Sequence, residues 1–453
     1  MKIIVPHIHK IEGEAGFWAN VAKTGEIKEL KINVLEGLRQ IEGILVGRRV
    51  KEAPIVVSRI CGICPVVHIL NACSALERAL EIDVSPEIVL LRKLFLASQI
   101  IQSHTLHLFF LSLPDFFDIE NDLDLMKKFP KEAKAALKIR DFSLKITEII
   151  GGRKVHPITP QIGGFSKLPE KSDLKKILKE IPSALESAEI LAKRFSNLEY
   201  PKLERKTIFA SLFSKEDYPF YQAKFVKSDG EISTPGDFYS NEIEEDLKIP
   251  PVKRVKYRGG PYMLGAIARM KNNSQFLNPL AKNLFEEFKK KNDLTEKPRS
   301  RASSLRGMEF FGNIYHNLFC QMVEVLHFLE ESEKIIKEIL ARGEDVRLSS
   351  VKALIEPKSG LKEEKKEFKI KKGSGLSAME APRGTLFTYF EIDDEGRIFN
   401  CNIITPTAQF LANIEADLKV LLPEILKLPE DQRKRKIRSL IRIYDPCISC
   451  AIH

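Results

Sequence analysis

Two stretches decide how this chain is read: Arg59-Ile60-Cys61-Gly62-Ile63-Cys64-Pro65-Val66-Val67-His68, and the closing run Asp445-Pro446-Cys447-Ile448-Ser449-Cys450-Ala451-Ile452-His453. Each holds two cysteines with two residues between them. That spacing lets both thiolates of a pair turn toward one ion, and four thiolates make a soft site suited to zinc, iron or nickel. Small zinc modules place their two pairs close together. Here almost the whole chain lies between Cys64 and Cys447, so only a fold that joins its two ends can use both. From spacing alone three readings stand: a structural zinc site, a redox-active metal site, or unrelated cysteines.

The remaining sequence bounds the setting. A length of 453 residues can bury a large core with a site inside it. A composition 43% hydrophobic and 30% charged excludes wholesale disorder and collagen-like repeats. The net charge of +10 is a mild bias on so long a chain. Its densest basic stretch, Lys358 to Lys372, also carries Glu363, Glu364 and Glu367 and reads as a solvated face, so no nucleic-acid partner is expected. Seven cysteines form an odd, sparse set, unlike a secreted disulfide framework. The opening MKIIVPHIHK lacks the apolar stretch of a signal peptide. The apolar region Ile88 to Leu113 is broken by Arg92, Lys93, Gln99, Gln102, His104 and His107, and reads as a buried helix with no membrane span. A cytoplasmic protein is expected.

Along the chain, Phe17–Val21 and Ile27–Val34 read as strands joined around Lys23-Thr24-Gly25. Helices then dominate to about residue 198. Ser85-Pro86 predicts a capped start, Gly151-Gly152 a stop, and Ser172 the cap of a charged helix that runs past Pro182 to about Phe195. Aromatic residues among Ser-Asp-Gly and Pro-Gly turns predict a β-rich excursion over about 200–270. Helical periodicity covers 304–342, with Gly343 as its stop. Thr385–Ile392 and Ile398–Ile404 flank Asp393-Asp394-Glu395-Gly396 as a hairpin, which places a β-hairpin segment at about 385–404. Helices return after Thr407. Nothing marks a domain boundary, so 1–453 is expected to be a single domain of α+β class.

With their flanking residues, the two stretches resemble the hallmark motifs of the catalytic large (alpha) subunit of nickel–iron hydrogenases: R-x-C-G-x-C-x-x-x-H near one end and D-P-C-x-x-C-x-x-H at the other. Further segments extend the resemblance over most of the chain. They are Lys10-Ile11-Glu12-Gly13, Gly151-Gly152-Arg153-Lys154-Val155-His156-Pro157, Glu380-Ala381-Pro382-Arg383-Gly384 and Ile404-Thr405-Pro406-Thr407-Ala408-Gln409. The last looks like the cytoplasmic, multi-subunit branch, linked to NAD(P), a deazaflavin or a heterodisulfide-reductase partner. The fold implied is mostly helical, a buried helix-bundle core with small peripheral antiparallel sheets.

The resemblance implies reversible oxidation of dihydrogen at a buried nickel–iron centre whose iron carries carbon monoxide and cyanide. Cys61 and Cys447 match the terminal nickel ligands, and Cys64 and Cys450 the ligands shared by nickel and iron. His68 is implied beside a shared sulfur, where a ring N–H tunes its basicity. Pro382 and Arg383 face the iron's small ligands. Arg383 pairs with a cyanide and with Asp445, and Thr407 donates to the other cyanide. Cys447 is the expected first proton acceptor and Glu12 the next, with Arg383 as the alternative base. Glu42, the carbonyl of Ile403 and His453 are implied to hold a magnesium or iron ion. Lys10, Glu14 and Ser103 depart from the family pattern, where arginine, histidine and, in many members, aspartate are usual. Cys73, Cys320 and Cys401 match no ligand position and read as buried small hydrophobes. His104, His107, His316 and His327 read as packing or proton-network residues.

With no spare cysteine quartet for a cluster, an iron–sulfur small subunit is implied as partner, with further flavin, NAD(P) or other electron-transfer subunits. The family also implies nickel chaperones and a maturation protease that trims longer precursors after the histidine matching His453. Other classes share some of these features. A regulatory dihydrogen sensor keeps the same centre, and the quinone-site subunit of respiratory NADH dehydrogenase has a similar fold but lacks the cysteines.

Overall fold

Pro65 directly follows Cys64 and opens helix α1, Pro65–Leu80. A proline lacks only an N–H that the first helical turn leaves free anyway. Every residue of α1 except Arg78 is buried, so the helix lies within the core. The computed structural model, which describes residues 1–246, 252–294, 310–342 and 370–453, sets the other elements around α1.

Helix α2, Pro86–Leu106, starts as expected: the Ser85 hydroxyl accepts the Ile88 N–H at 3.4 Å. It continues through a π-turn, His107–Ser112. The whole run Pro86–Phe116 is long and apolar enough to cross a membrane, but 83% of its apolar window lies inside the protein. Helix α3, Pro130–Gly151, stops where Gly152 takes φ 75°. Helix α4 spans Lys171–Phe195 and passes Pro182 unbroken. Its cap is Glu170, not Ser172. Ser172 already lies in the first turn and donates to Glu170 Oε2 at 3.3 Å. Helix α5 is Gly265–Asn273 and α6 is His316–Ala341. The helix expected from 304 begins only at 316, after a short 3-10 turn at Phe310–Gly312. Residues 304–309, Gly343 and most of the Lys358–Lys372 stretch lie outside the described residues.

Strands β1 (Lys2–Val5), β2 (Ala15–Val21) and β3 (Ile27–Val34) form one antiparallel sheet. The excursion at 200–270 holds β4 (Ile208–Phe213), β5 (Phe225–Ser228) and β6 (Glu231–Ser233), with a hairpin of β7 (Ile243–Asp246) and β8 (Arg254–Tyr257). Strand β9, Tyr262–Met263, joins β4 in parallel. The predicted hairpin is β11 (Gly384–Ile392) and β12 (Ile398–Ile404). It gains a third strand, β10 (Gly373–Ala381), that sequence reading missed. The result is an α+β fold, mostly helical with small sheets.

This last sheet packs directly on α1. A Cβ on Gly375 would stand 2.0 Å from the Ala75 carbonyl oxygen, so only glycine allows the approach. The Asn71 side chain then donates to Ser377 O, Leu386 O and Thr388 Oγ1 at 3.3, 3.0 and 2.9 Å. A buried ion network ties the sheet to the helices. Arg269 on α5 forks onto Glu324 of α6 at 2.6 and 2.7 Å and reaches Glu380 of β10 at 2.8 Å, all three side chains fully buried. Burial pushes the Glu324 carboxyl up, but the Arg269 charge overcomes it and holds that carboxyl well below the usual range.

From β12 the chain enters α7 (Pro406–Ile425), then α8 (Glu430–Ile443), and ends in a short turn of helix, α9 (Ile448–Ala451). Between α8 and α9, Asp445 sits at φ 53°, a left-handed conformation that aspartate tolerates better than most residues. This reversal turns Cys447 and Cys450 inward toward the start of α1.

Candidate metal centre

The four cysteines of the two motifs come together. Their sulfurs all lie within 4.8 Å of one another. Cys61 Sγ is 3.5 Å from Cys447 Sγ, Cys64 Sγ is 3.2 Å from Cys450 Sγ, and Cys447 Sγ is 2.7 Å from Cys450 Sγ. None forms a disulfide, and each residue is at most 4% exposed. The backbone N–H groups of Ile63 and Cys64 point at Cys61 Sγ from 3.3 and 3.4 Å. Burial opposes a Cys61 thiolate, but the other three cysteines and Arg383 outweigh it and hold the thiol well below its usual range. Burial, together with the neighbouring sulfurs, pushes Cys447 and Cys450 up. Four neighbouring thiols, one of them favoured as a thiolate, make a donor set suited to a soft cation.

Glu12 lies against the second pair. The Cys447 thiol donates to Glu12 Oε2 at 2.9 Å, and Ser449 Oγ donates to Glu12 Oε1 at 2.9 Å. The Ile448 N–H donates to the Glu12 carbonyl at 2.8 Å. Next to it, Gly13 takes φ 82°, and a Cβ there would fall 2.9 Å from both Ile448 Cβ and the Ser449 nitrogen. Burial raises the Glu12 carboxyl above its ordinary value, and the Cys61 charge adds to this.

Arg383 reaches Asp445 twice, donating from Nε to its carbonyl at 2.5 Å and from Nη2 to Oδ1 at 2.7 Å. Its buried Nη1 has no hydrogen-bond partner among the described residues. With Pro382, Leu386, Thr407 and His68, Arg383 walls a small pocket beside the sulfurs of Cys64, Cys447 and Cys450. Thr407 Oγ1 accepts the Cys447 N–H at 3.0 Å, which leaves its own hydroxyl hydrogen to give. His68 Nε2 is 3.7 Å from Cys450 Sγ, and burial holds the ring at about 4, so it is neutral at pH 7.

A second convergence lies on the far side of the last turn. His453 Nε2 is 2.8 Å from the Ile403 carbonyl and 3.6 Å from Glu42 Oε1, while Nδ1 is 2.5 Å from the Cys450 carbonyl. The Ile403 carbonyl also accepts from Lys253 Nζ at 3.3 Å. Glu42 Oε1 also accepts from the Ile403 N–H and from Lys253 Nζ, both at 2.6 Å. Burial would raise the Glu42 carboxyl, but His453 and Lys253 outweigh it and hold it at about 2.

The remaining cysteines lie elsewhere, whereas His107 Nε2 stands 4.0 Å from Asp445 Oδ1. Burial keeps the Cys73 thiol at about 12 and raises those of Cys320 and Cys401. His104 Nε2 meets Glu324 Oε2 at 2.8 Å, His107 Nδ1 meets Gln321 Oε1 at 2.6 Å, and His316 Nδ1 meets the Phe310 carbonyl at 2.6 Å. His327 Nδ1 accepts the Asn278 N–H at 3.1 Å. Lys10, one of the departures, turns away to Asp122 at 2.5 Å. Sequence reading missed Ser449 and Lys253. Ser449 was within reach as the polar residue inside the second pair; Lys253 carried no local signal.

Comparison with known proteins agrees with this geometry. A family model described as nickel-dependent hydrogenase matches residues 39–137 and 213–453. The chain belongs to the nickel-dependent hydrogenase family. The α chain of sulfhydrogenase 1 from Pyrococcus furiosus is 33% identical to it, covering 100% of this chain and 98% of that relative. A chain of the vhu F420-non-reducing hydrogenase from Methanocaldococcus jannaschii is 27% identical, over 94% and 100% of the two chains. Among solved structures, the large-subunit fold recurs in an NAD+-reducing NiFe-hydrogenase in its H2-reduced state, with TM-score 0.81, 22% identity, and 100% and 99% of the chains covered. The gathering of the four sulfurs overturns the unrelated-cysteine reading, and the cluster suits the metal centre of a nickel-dependent hydrogenase.

Proposed function

We propose that this chain is the dihydrogen-activating component of a cytoplasmic, multi-subunit nickel–iron hydrogenase, a single domain spanning 1–453, and that it oxidises dihydrogen reversibly. The observation that carries the reading is the buried four-thiol cluster with a carboxyl 2.9 Å from one of its sulfurs. Cys61, Cys64, Cys447 and Cys450 would hold the nickel–iron group, Cys61 and Cys447 on nickel and Cys64 and Cys450 toward both metals. When bound, the nickel–iron group supplies a site where dihydrogen is polarised and split, with its electrons leaving toward a partner. The chain's own residues do the rest. Cys447 Sγ takes up the proton and passes it to Glu12 Oε2.

The Arg383 guanidinium, fixed by Asp445, leaves Nη1 free for a small anion such as cyanide on the iron, and its permanent charge suits that task better than the role of base. The Thr407 hydroxyl donates to a second cyanide, and Pro382 helps keep the pocket around the carbon monoxide and cyanide ligands dry. His68, being neutral, offers one ring N–H to Cys450. Glu42, Ile403 O and His453 would hold a magnesium or iron ion, whose preference for oxygen donors fits two of the three, in place of the Lys253 ammonium that now faces both oxygens. The other three cysteines do not gather into a second set among the described residues. This supports electron transfer to an iron–sulfur small subunit, with flavin, NAD(P) or other electron-transfer subunits beyond it. Nickel chaperones and a maturation protease complete the assembly.

Elemental analysis of the purified protein together with its infrared spectrum tests the reading. Nickel plus iron with carbonyl and cyanide stretches is the expected result; zinc alone ends it. Fast turnover with a physiological acceptor separates the enzyme from a dihydrogen sensor.

A further inference from the structure

Two cysteine pairs from opposite ends of a chain can form one site only if something fixes the distance between their loops. Metal ligation does this once the metals are bound. The protein also has a device of its own, in the irregular segment 35–40 between β3 and the short helix Ile41–Leu45. The Arg39 guanidinium donates from Nη2 to the Ile60 carbonyl at 2.6 Å and from Nη1 to the Arg59 carbonyl at 3.4 Å. The same Nη2 donates to the Ser449 carbonyl. The Arg39 backbone N–H donates to the Ile452 carbonyl at 3.1 Å. One residue therefore grips the carbonyl just before Cys61, the carbonyl between Cys447 and Cys450, and the turn that carries His453. Among the described residues no other side chain donates to backbone carbonyls of both cysteine loops.

The neighbouring contacts work in the same direction. Glu36 Oε1 accepts the Glu14 N–H at 2.6 Å, so the 35–40 segment also holds the strip that carries Glu12. A planar fork with donors in fixed directions suits carbonyls that belong to two different segments; a lysine ammonium, a compact point charge, cannot span them in the same way. Arg383, Thr407, Glu12 and Ile403 also hold the final segment, but their hydrogen bonds tie it to the rest of the fold and not to the Cys61–Cys64 loop. Helix α9 is four residues long, far too short to be stable alone.

We infer that Arg39 is a positioning residue that latches the closing segment 445–453 onto the Cys61–Cys64 loop and so sets the spacing of the four sulfurs. The inference rests on the functional reading given above for what the sulfurs hold, but the latch itself is a property of the protein backbone. Its readout is therefore local protection as well as metal content. The experiment compares the purified complex carrying parent chain, Arg39→Lys or Arg39→Leu, by hydrogen exchange with mass spectrometry and by metal analysis.

In Arg39→Leu the amides of 445–453 should exchange at least tenfold faster than in the parent, while those of α1 keep parental protection, and nickel per chain should fall by more than half. Arg39→Lys should fall between the two. Parental protection of 445–453 and parental nickel in Arg39→Leu overturn the inference. If Arg39→Leu does not assemble, Arg39→Lys decides: parental exchange and nickel there show that the fork is not needed. If the parent itself holds no nickel, the functional reading fails, and the exchange comparison still judges the latch.

Discussion

Replacing Glu12 by glutamine isolates the proton step from the rest of the site. Glutamine has the same shape. Its Oε1 can keep the bond from Ser449 Oγ at 2.9 Å, and the backbone bond from Ile448 N–H to the residue-12 carbonyl is untouched. What is lost is the group 2.9 Å from Cys447 Sγ that can take a proton and release it. A positioned general acid–base contributes a factor of about 10²–10⁴, which corresponds to about 2.7–5.4 kcal/mol in the barrier. Dihydrogen turnover and deuterium–proton exchange with solvent should both fall by that factor, with nickel content and the infrared bands of the iron ligands at parental values.

Stability supplies a control with a definite sign. Burial holds the Glu12 carboxyl above its unfolded value. The folded state therefore binds the proton more tightly, and the carboxyl's contribution is favourable at low pH and lost as pH rises through the folded value. Glutamine carries no such cost, so the melting temperature of Glu12→Gln at pH 8 should equal or exceed the parent's. Exchange at the parental rate in a variant with intact metal refutes the Cys447-to-Glu12 route and moves the proton to Arg383 or elsewhere.

Cys64→Ser or Cys447→Ser should yield a nickel-poor protein, because a serine hydroxyl stays protonated at neutral pH and is a poor soft-metal ligand; full nickel and activity in either variant would exclude that ligand. Arg269→Met leaves Glu324 and Glu380 as buried carboxylates without their cation and should cost about 3–5 kcal/mol, read as a shift of the denaturation midpoint in urea; a shift below a third of that shows the network is not needed for the fold. A permanent tag after His453, a residue only 4% exposed, should give a nickel-poor protein that pairs poorly with its small subunit, whereas a tag before Met1, 55% exposed, should be tolerated. Normal nickel content with the C-terminal tag verified intact by mass spectrometry would show that His453 is not held where the structure places it.

What was legible in the sequence divides along a physical line. Features that depend on a residue and its near neighbours were readable: the Ser85 cap, the Gly152 stop, the 393–396 turn, and the two-residue spacing that lets paired thiolates face one ion. Features that depend on a distant partner were not. Strand β10 opens Gly-Ser-Gly, residues with little intrinsic preference for a strand; it is a strand because β11 pairs with it and because α1 approaches so closely that only glycine fits at 375. The Ser172 error has a local cause of its own, since Glu170 two residues earlier takes the extended cap conformation without a side-chain cap bond. Lys253 reaches Glu42 from the 200–270 excursion, and Arg39 reaches Ser449 from the other end of the chain. No window of sequence contains either pair. The site thus has two layers of different origin. The sulfurs stand out by the chemistry of paired thiolates, and Glu12 and Arg383 by the resemblance of their segments to those of the family. The residues that hold them in place are ordinary side chains whose role comes only from the fold, and their function is therefore tested by local protection and metal retention as well as by loss of turnover.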